Sequence, residues 1–301
     1  MARNLSAFVM SITPFDEGGA LDEPALRQHL QRLRDAQVGV YLGGSVGGEG
    51  FSLSKEEVRR VLAIGVEELK GKVPVRAMGC EVRQAGEMID FLWRAGRHAL
   101  DAVHIFAPEM GYGAKPTPEE LERYYSTVIE ETSLPIVLSS YQALGYDVPV
   151  TLIERLLDSF PQITGFFYDG HDVRYLTHVI ERLAHRIEIH CAGPANALTT
   201  LGLGGHGFIG HEGNLAPKLV ASVISAFQSG DKLQLVKAFG ALMGMHEIHD
   251  RHGGPVRAMK PLLSAFGLPG GTIRLPRLAI SAEELNEVIE ATDRLNIPEL
   301  S

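Results

Sequence analysis

Short apolar runs alternate with longer amphipathic segments eight times along the chain, and this alternation constrains the fold most strongly. The first run covers residues 7–12, and the last covers residues 207–209. Between the runs, apolar residues recur at helical spacing, as Leu26, Leu30 and Leu33 do. Strands too apolar to face water are typical of a parallel sheet covered by helices. Eight strand–helix units within about 230 residues predict an α/β fold, a closed TIM (β/α)8 barrel, rather than an open sheet.

The part of the chain beyond residue 230 contains no further predicted strand. Helical periodicity recurs there at residues 233–249, 256–266 and 282–295. The sequence therefore predicts two domains. Residues 1–230 form the barrel, and residues 231–301 form a three-helix extension packed on it.

Charge and cysteine content narrow the class of partner. The net charge of −9 argues against nucleic acid or an anionic membrane, since both need a basic face. Cys80 and Cys191 are too few for a disulfide framework or a thiolate zinc site. No apolar run approaches the roughly 18 residues of a membrane span, and no leader signature precedes the first strand. These features predict a cytoplasmic protein that binds a small molecule.

The glycine-rich turn at residues 43–50 contains Glu49 and precedes a Leu…Glu-Glu element at residues 53–57. This pattern is similar to the Gly-Thr-Thr-Gly-Glu signature of the dihydrodipicolinate synthase / N-acetylneuraminate lyase family. Other matches occur in the family's order along nearly the whole chain: Thr13-Pro14-Phe15, Pro108, Leu134-Pro135, Gly165, the glycine-rich run at 204–209 with Asn214, and the segment 255–260 with Gly267-Leu268.

The resemblance implies a specific chemistry. A lysine on strand six forms an imine with pyruvate or a related 2-oxo acid, and a tyrosine on strand five moves protons. A Thr-Thr pair after strand two binds the substrate carboxylate. Members of the family form homodimers or homotetramers and use no metal or other cofactor. Tyr112 falls in the region where family members contribute a tyrosine across a dimer interface.

The chain departs from this pattern at four places in the pocket, one of them near Leu144, where some members carry an arginine after strand five. Phe167 stands at the lysine position, and phenylalanine cannot form an imine. Ser139 stands at the tyrosine position, and Val46 and Gly47 replace the Thr-Thr pair. The backbone amides of Ser45 to Gly48 still predict an anion-binding turn.

Polar residues near the predicted strand ends offer another chemistry. His211 follows strand eight, where alternation from Ile209 would aim it inward, and Asp169 follows strand six. Together they predict an acid–base pair, with Tyr141 as a third catalytic residue if the end of strand five is displaced. The expected substrate-binding residues are Ser45, Val46, Gly47, Gly48, Ser139, Phe167 and Ile209.

A divalent-metal site is an alternative use of the same region. His190, expected at the end of strand seven, could join His211, Glu212 and Asp169, since imidazole and carboxylate bind zinc, manganese or iron. No short spacing motif supports this site, so a metal-free site is the preferred expectation. A second group of residues, His246, His249, His252 and Asp250, is expected to lie on an exposed helix end.

Three functions remain open at this stage. The preferred one is a lyase-family protein acting on a small oxo acid or sugar acid without an imine. The first alternative is a non-catalytic ligand-binding barrel that has lost the reaction. The second is a pyruvate-dependent aldolase or synthase with a displaced lysine, for which Lys260 is the candidate, although a matching family lysine lies outside the chemistry.

Overall fold

Eight parallel strands in the computed structural model form a closed barrel with the order β1 to β8, and the model describes residues 3–300. The predicted fold class is therefore confirmed. The strands are β1 Ser6–Met10, β2 Gly39–Leu42, β3 Val75–Met78, β4 Ala102–Ile105, β5 Ile136–Tyr141, β6 Ile163–Asp169, β7 Glu188–Ala192 and β8 Gly207–Gly210.

A helix follows each strand, and several helices begin at the caps that the sequence predicts. Asp22 caps the first helix, and Ser54 with Glu57 forms a capping box at the second. The helices are α1 Glu23–Asp35, α2 Lys55–Leu69, α3 Ala85–Ala95, α4 Pro118–Ile129, α5 Val150–Ser159, α6 Val173–Leu183, α7 Ala197–Leu203 and α8 Pro217–Ser229.

The C-terminal segment is helical, as predicted, but its middle helix is interrupted. It contains α9 Lys232–Arg251, α10 Gly254–Arg257, α11 Met259–Ala265 and α12 Ala282–Asp293. The single helix predicted at residues 256–266 is wrong, because Pro261 has no N–H to donate to the carbonyl of Arg257. That carbonyl accepts a hydrogen bond from the amide of Ile280 instead.

The chain divides into two compact units. The first unit comprises residues 3–4 and 76–208, and the second comprises residues 5–75 and 209–300. The division between a barrel domain and an extension at residue 230 stays a prediction. Among residues 3–300, no helix combines the length and the apolar character that crossing a membrane requires.

Strand register in the first unit places the residues that matter for chemistry. Ser139 of β5 lies opposite Phe167 of β6, and Tyr141 lies opposite Asp169. On the other side of β6, Phe167 lies opposite His190 of β7.

Candidate active site

Apolar and aromatic rings surround Phe167 in the first unit. The side chain of Phe167 is buried, and its ring meets that of His104 edge-on at 5.5 Å between centroids. His104 in turn stacks on Phe106 at 4.4 Å. Burial lowers the pKa of His104 to about 3, so this histidine is neutral at physiological pH. The ring cluster therefore supplies shape rather than a nucleophile.

Tyr168, next to Phe167, has a structural role. Its hydroxyl oxygen accepts a hydrogen bond of 3.0 Å from the amide of Asp172, and its ring packs on Tyr175 at 4.9 Å. A Cβ atom at Gly170 would lie 2.4 Å from that hydroxyl, so the turn after β6 requires glycine. Since successive strand residues face opposite sides, Phe167 and Tyr168 point in opposite directions.

Tyr141 and Asp169 are brought together as partners at the ends of adjacent strands. The sequence predicts a catalytic role for Tyr141 only if the end of strand five is displaced. Instead β5 continues through Tyr141, which shares the strand face of Ser139 two residues earlier. The hydroxyl of Ser139 is buried and lies 3.5 Å from the carbonyl oxygen of Ile105.

Burial shifts the protonation of both members of this pair. It raises the pKa of Asp169 to about 6, while His171 lowers it and Glu81 raises it further. Burial also raises the pKa of Tyr141 to about 12, with smaller contributions from Asp169 and Glu81. Near neutral pH, Asp169 can therefore accept or release a proton, and the phenol of Tyr141 remains a hydrogen-bond donor.

Sequence reasoning missed Glu81. This residue follows β3 by three positions, and its charge acts on Asp169, Tyr141 and Cys80. The available signal was its place just beyond a strand end, the same signal that selected Asp169.

The expectation that His190 ends strand seven is wrong, because β7 continues to Ala192. Burial, reinforced by Arg76 and His206, lowers the pKa of His190 well below its usual value. Arg76 is itself paired with Glu188 at 2.6 Å. His190 is thus a neutral interior residue in mid-strand.

In the second unit, the glycine-rich turn after β2 is buried. The amides of Val46, Gly47 and Gly48 are not among the donors of the described backbone hydrogen bonds. The carbonyl of Gly48 accepts a 2.8 Å hydrogen bond from the hydroxyl of Thr13. Ser45 is 5% exposed.

Glu49, which lies in this turn, forms a buried ion pair with Lys260. The two side chains are 2% and 0% exposed. The Lys260 ammonium also donates to the carbonyl of Thr272 at 2.8 Å and lies 4.3 Å from the centroid of the Phe15 ring. Burial lowers the pKa of Lys260 to about 8, although Glu49 opposes that shift. These contacts give Lys260 a structural role in the second unit.

His211 lies against the glycine-rich turn. A Cβ atom at Gly47 would be 2.8 Å from Nδ1 of His211 and 2.8 Å from the carbonyl oxygen of Met10, so a side chain at position 47 would collide with both. The argument from alternation was wrong, because β8 ends at Gly210 and His211 has helical backbone angles. Ile209 is fully buried within β8. Burial lowers the pKa of His211, while Glu212 acts in the opposite direction.

The expected exposed helix end on α9 is also wrong for two of its histidines. His249 is 3% exposed, and Nδ1 of His246 lies 2.7 Å from Oε1 of the buried Glu212. Glu212 belongs to a short 3-10 turn, Glu212–Asn214, against which α9 packs. Sequence reasoning placed this helix away from the strand ends because nothing local links residues 212 and 246.

Within residues 3–300, no group of three or more histidine, cysteine, aspartate or glutamate side chains is arranged to hold a metal ion.

Comparison with known proteins identifies a matching family and similar structures. Residues 3–294 match the Dihydrodipicolinate synthetase family. A 4-hydroxy-tetrahydrodipicolinate synthase of Aromatoleum aromaticum is 27% identical over 97% of this chain and 98% of its own length. A dihydrodipicolinate synthase structure from Bacillus anthracis superimposes with a TM-score of 0.86, at 25% identity, over 96% of this chain and 99% of that one. A family structure from Escherichia coli in complex with pyruvate gives 0.89 at 24% identity, covering 98% of this chain and 100% of the other.

The family match spans almost the whole described chain, and the closed barrel agrees with it. The protein is therefore a member of the Dihydrodipicolinate synthetase family.

Proposed function

We propose that this protein is a lyase that acts on a small oxo acid or sugar acid without forming an imine. The observation that carries the proposal is the buried ring of Phe167, which packs against His104 at the position that we align with the family's lysine. Membership of the family supports aldolase-type chemistry on small oxo acids. Without an amine at that position, we propose that acid–base groups catalyse the reaction by proton transfer.

Asp169 and Tyr141 are the proposed acid–base pair. In the cleavage direction, the Asp169 carboxylate takes the proton from the hydroxyl of a hydroxy-oxo acid. The carbon–carbon bond then breaks to release an aldehyde, and its electron pair passes into the enolate of the remaining oxo acid. The Tyr141 phenol donates a hydrogen bond to the enolate oxygen, and Asp169 returns the proton to carbon.

In the second unit, we propose that His211 and the turn at residues 45–48 bind an anion. The backbone amides of that turn can donate to an anion, and the imidazole of His211 can add a hydrogen bond or a proton. Ser139 and Phe167 are the proposed hydroxyl and apolar contacts in the first unit, and Ile209 is the proposed apolar contact in the second. The two units are tested separately, because each supplies its own group of residues.

The state of Lys260 supports this proposal over a displaced lysine. An amine engaged with Glu49, Thr272 and the ring of Phe15 would have to break a buried ion pair before it could attack a carbonyl group. A non-catalytic barrel is the competing function.

The deciding experiment pairs borohydride trapping with a turnover screen. Wild type incubated with pyruvate and borohydride should show no mass increase, and Phe167→Lys serves as the variant that restores an amine. On a panel of hydroxy-oxo acids and sugar acids, Asp169→Asn and Tyr141→Phe should each lose at least about a hundredfold in kcat. Asp158→Asn, a change of an exposed carboxylate, should leave turnover unchanged.

Three outcomes separate the alternatives. A pyruvate adduct on the wild-type protein would refute the imine-free proposal. Thermal stabilisation by a panel compound without turnover would favour the binding barrel. Turnover that survives EDTA and dialysis is expected, since the proposal uses no metal or other cofactor.

We also propose a cytoplasmic homodimer or homotetramer. Tyr112 is fully exposed, which suits a contact with a second copy. Light scattering of the purified protein measures the assembly, and a monomer at micromolar concentration would refute it.

A further inference from the structure

The loop that carries His211 is tied to α9 by a buried carboxylate. Glu212 is 3% exposed, and each of its oxygens has a partner. Oε1 lies 2.7 Å from Nδ1 of His246, and Oε2 accepts the backbone N–H of His211 at 3.0 Å. One carboxylate thus fixes the backbone at position 211 and the imidazole at position 246.

His246 lies between two carboxylates of different exposure. Its Nε2 is 3.7 Å from Oδ2 of Asp250, whose side chain is 68% exposed, whereas that of Glu212 is only 4% exposed. The hydrogen bond to Glu212 raises the pKa of His246, against the effect of burial. Burial disfavours the charged form of Glu212, but the hydrogen bond and the charge of His246 hold the pKa of Glu212 below its usual value. The arrangement favours an imidazolium paired with a buried carboxylate.

We propose that His246 is a positioning residue for His211: through Glu212 it fixes the His211 backbone and keeps a negative charge beside the imidazole. The protonation of His211 is then set from α9. This inference rests on the proposed role of His211 in the reaction, and it gives a reason for the contact between His246 and Glu212.

The surrounding charges leave Glu212 as the dominant influence on His211. After burial, Glu212 has the largest effect on the pKa of His211, larger than the opposing effect of His246 or the smaller one of Asp250. On α9, His249 is the other ionisable group near this cluster. On α1, His29 and Arg32 bind the side chain and backbone of Asn214.

The other packed elements add little charge. Strand β1, Ser6–Met10, has no ionisable side chain, and on α8 the only ionisable side chain, Lys218, is exposed. Loss of the His246 cation should therefore act mainly by letting Glu212 take up a proton.

The test is the titration of His211 in the free protein, followed by the NMR signals of its labelled ring. In Glu212→Gln and in His246→Gln, the proton affinity of His211 should fall about tenfold, one pKa unit. His246→Lys keeps a cation and should leave the titration near that of wild type. His185→Gln, a change of an exposed histidine in the first unit, is the matched control.

A double variant tests whether His246 acts through Glu212. If it does, His246→Gln in the Glu212→Gln background should not lower the proton affinity of His211 further. An unchanged titration in His246→Gln would overturn the proposal. A further tenfold loss on adding His246→Gln to Glu212→Gln would also overturn it. So would a loss of proton affinity in His246→Lys equal to that in His246→Gln.

Kinetics separate this inference from the proposed function. With a turned-over substrate, the pH dependence of KM should move with the His211 titration in each variant, while kcat stays constant. A pH dependence of KM that does not follow the titration would show that His211 is not the anion-binding group. A protein without turnover would refute the proposed function, and the NMR titration would still decide the inference.

Discussion

Removing the Lys260 ammonium should destabilise the second unit strongly. In Lys260→Met, the chain volume against Phe15 is largely retained, but Glu49, only 2% exposed, loses its cation. A buried charge left without its partner costs about 3–5 kcal/mol of unfolding free energy. Such a loss is a large part of the 5–15 kcal/mol that is typical of folded domains.

The reverse single change and the double change define the mechanism. Glu49→Met should cost a similar amount, because it leaves the ammonium with only the Thr272 carbonyl and a ring face. Glu49→Met/Lys260→Met removes both charges, so its free energy of unfolding should return to within about 1–2 kcal/mol of wild type. The lowered pKa of Lys260, to about 8 through burial, agrees with a pair whose desolvation cost is high.

Urea unfolding at pH 7, followed by circular dichroism, measures these differences by linear extrapolation. Arg251→Met is the matched control, because Arg251 and its partner Glu247 are 71% and 62% exposed. That change should cost less than about 1 kcal/mol. Single variants that each lose under 1 kcal/mol, or a double variant equal to the sum of the two, would refute the reasoning.

Three further predictions concern other buried positions. Gly47→Ala should cost about 1–3 kcal/mol through its collisions, whereas Gly240→Ala, in mid-helix with open space around it, should be neutral or stabilising in urea unfolding. Burial lowers the pKa of His249 to about 4, so unfolded chains bind more protons below pH 6.5 and stability falls towards pH 4. His249→Leu should reduce that slope by up to about 1.4 kcal/mol per pH unit, and an unchanged slope between pH 5 and 7 would contradict this. Asp169→Asn should abolish turnover. It should also raise the free energy of unfolding at pH 7 by about 1–3 kcal/mol, because burial raises the pKa of Asp169 to about 6 and disfavours its charged form. A lower free energy of unfolding in this variant would contradict the prediction.

Local patterns predicted the barrel because the spacing of apolar residues within each strand–helix unit indicates its secondary structure. The caps at Asp22 and Ser54 were readable for the same reason, since a cap and its partner lie within three residues. Boundaries were less readable. The continuation of β5 to Tyr141 and of β7 to Ala192 depends on pairing with neighbouring strands.

The sequence by itself determined the fold class and the absence of an amine at position 167, because both follow from residue type and local spacing. Only the tertiary structure decided the contacts of the candidate site. The partnership of Glu212 with His246 and the packing of His211 on Gly47 join residues that are 34 and 164 positions apart. No local pattern encodes such contacts, because they depend on how the backbone returns to the same place and on which side chains share the space there.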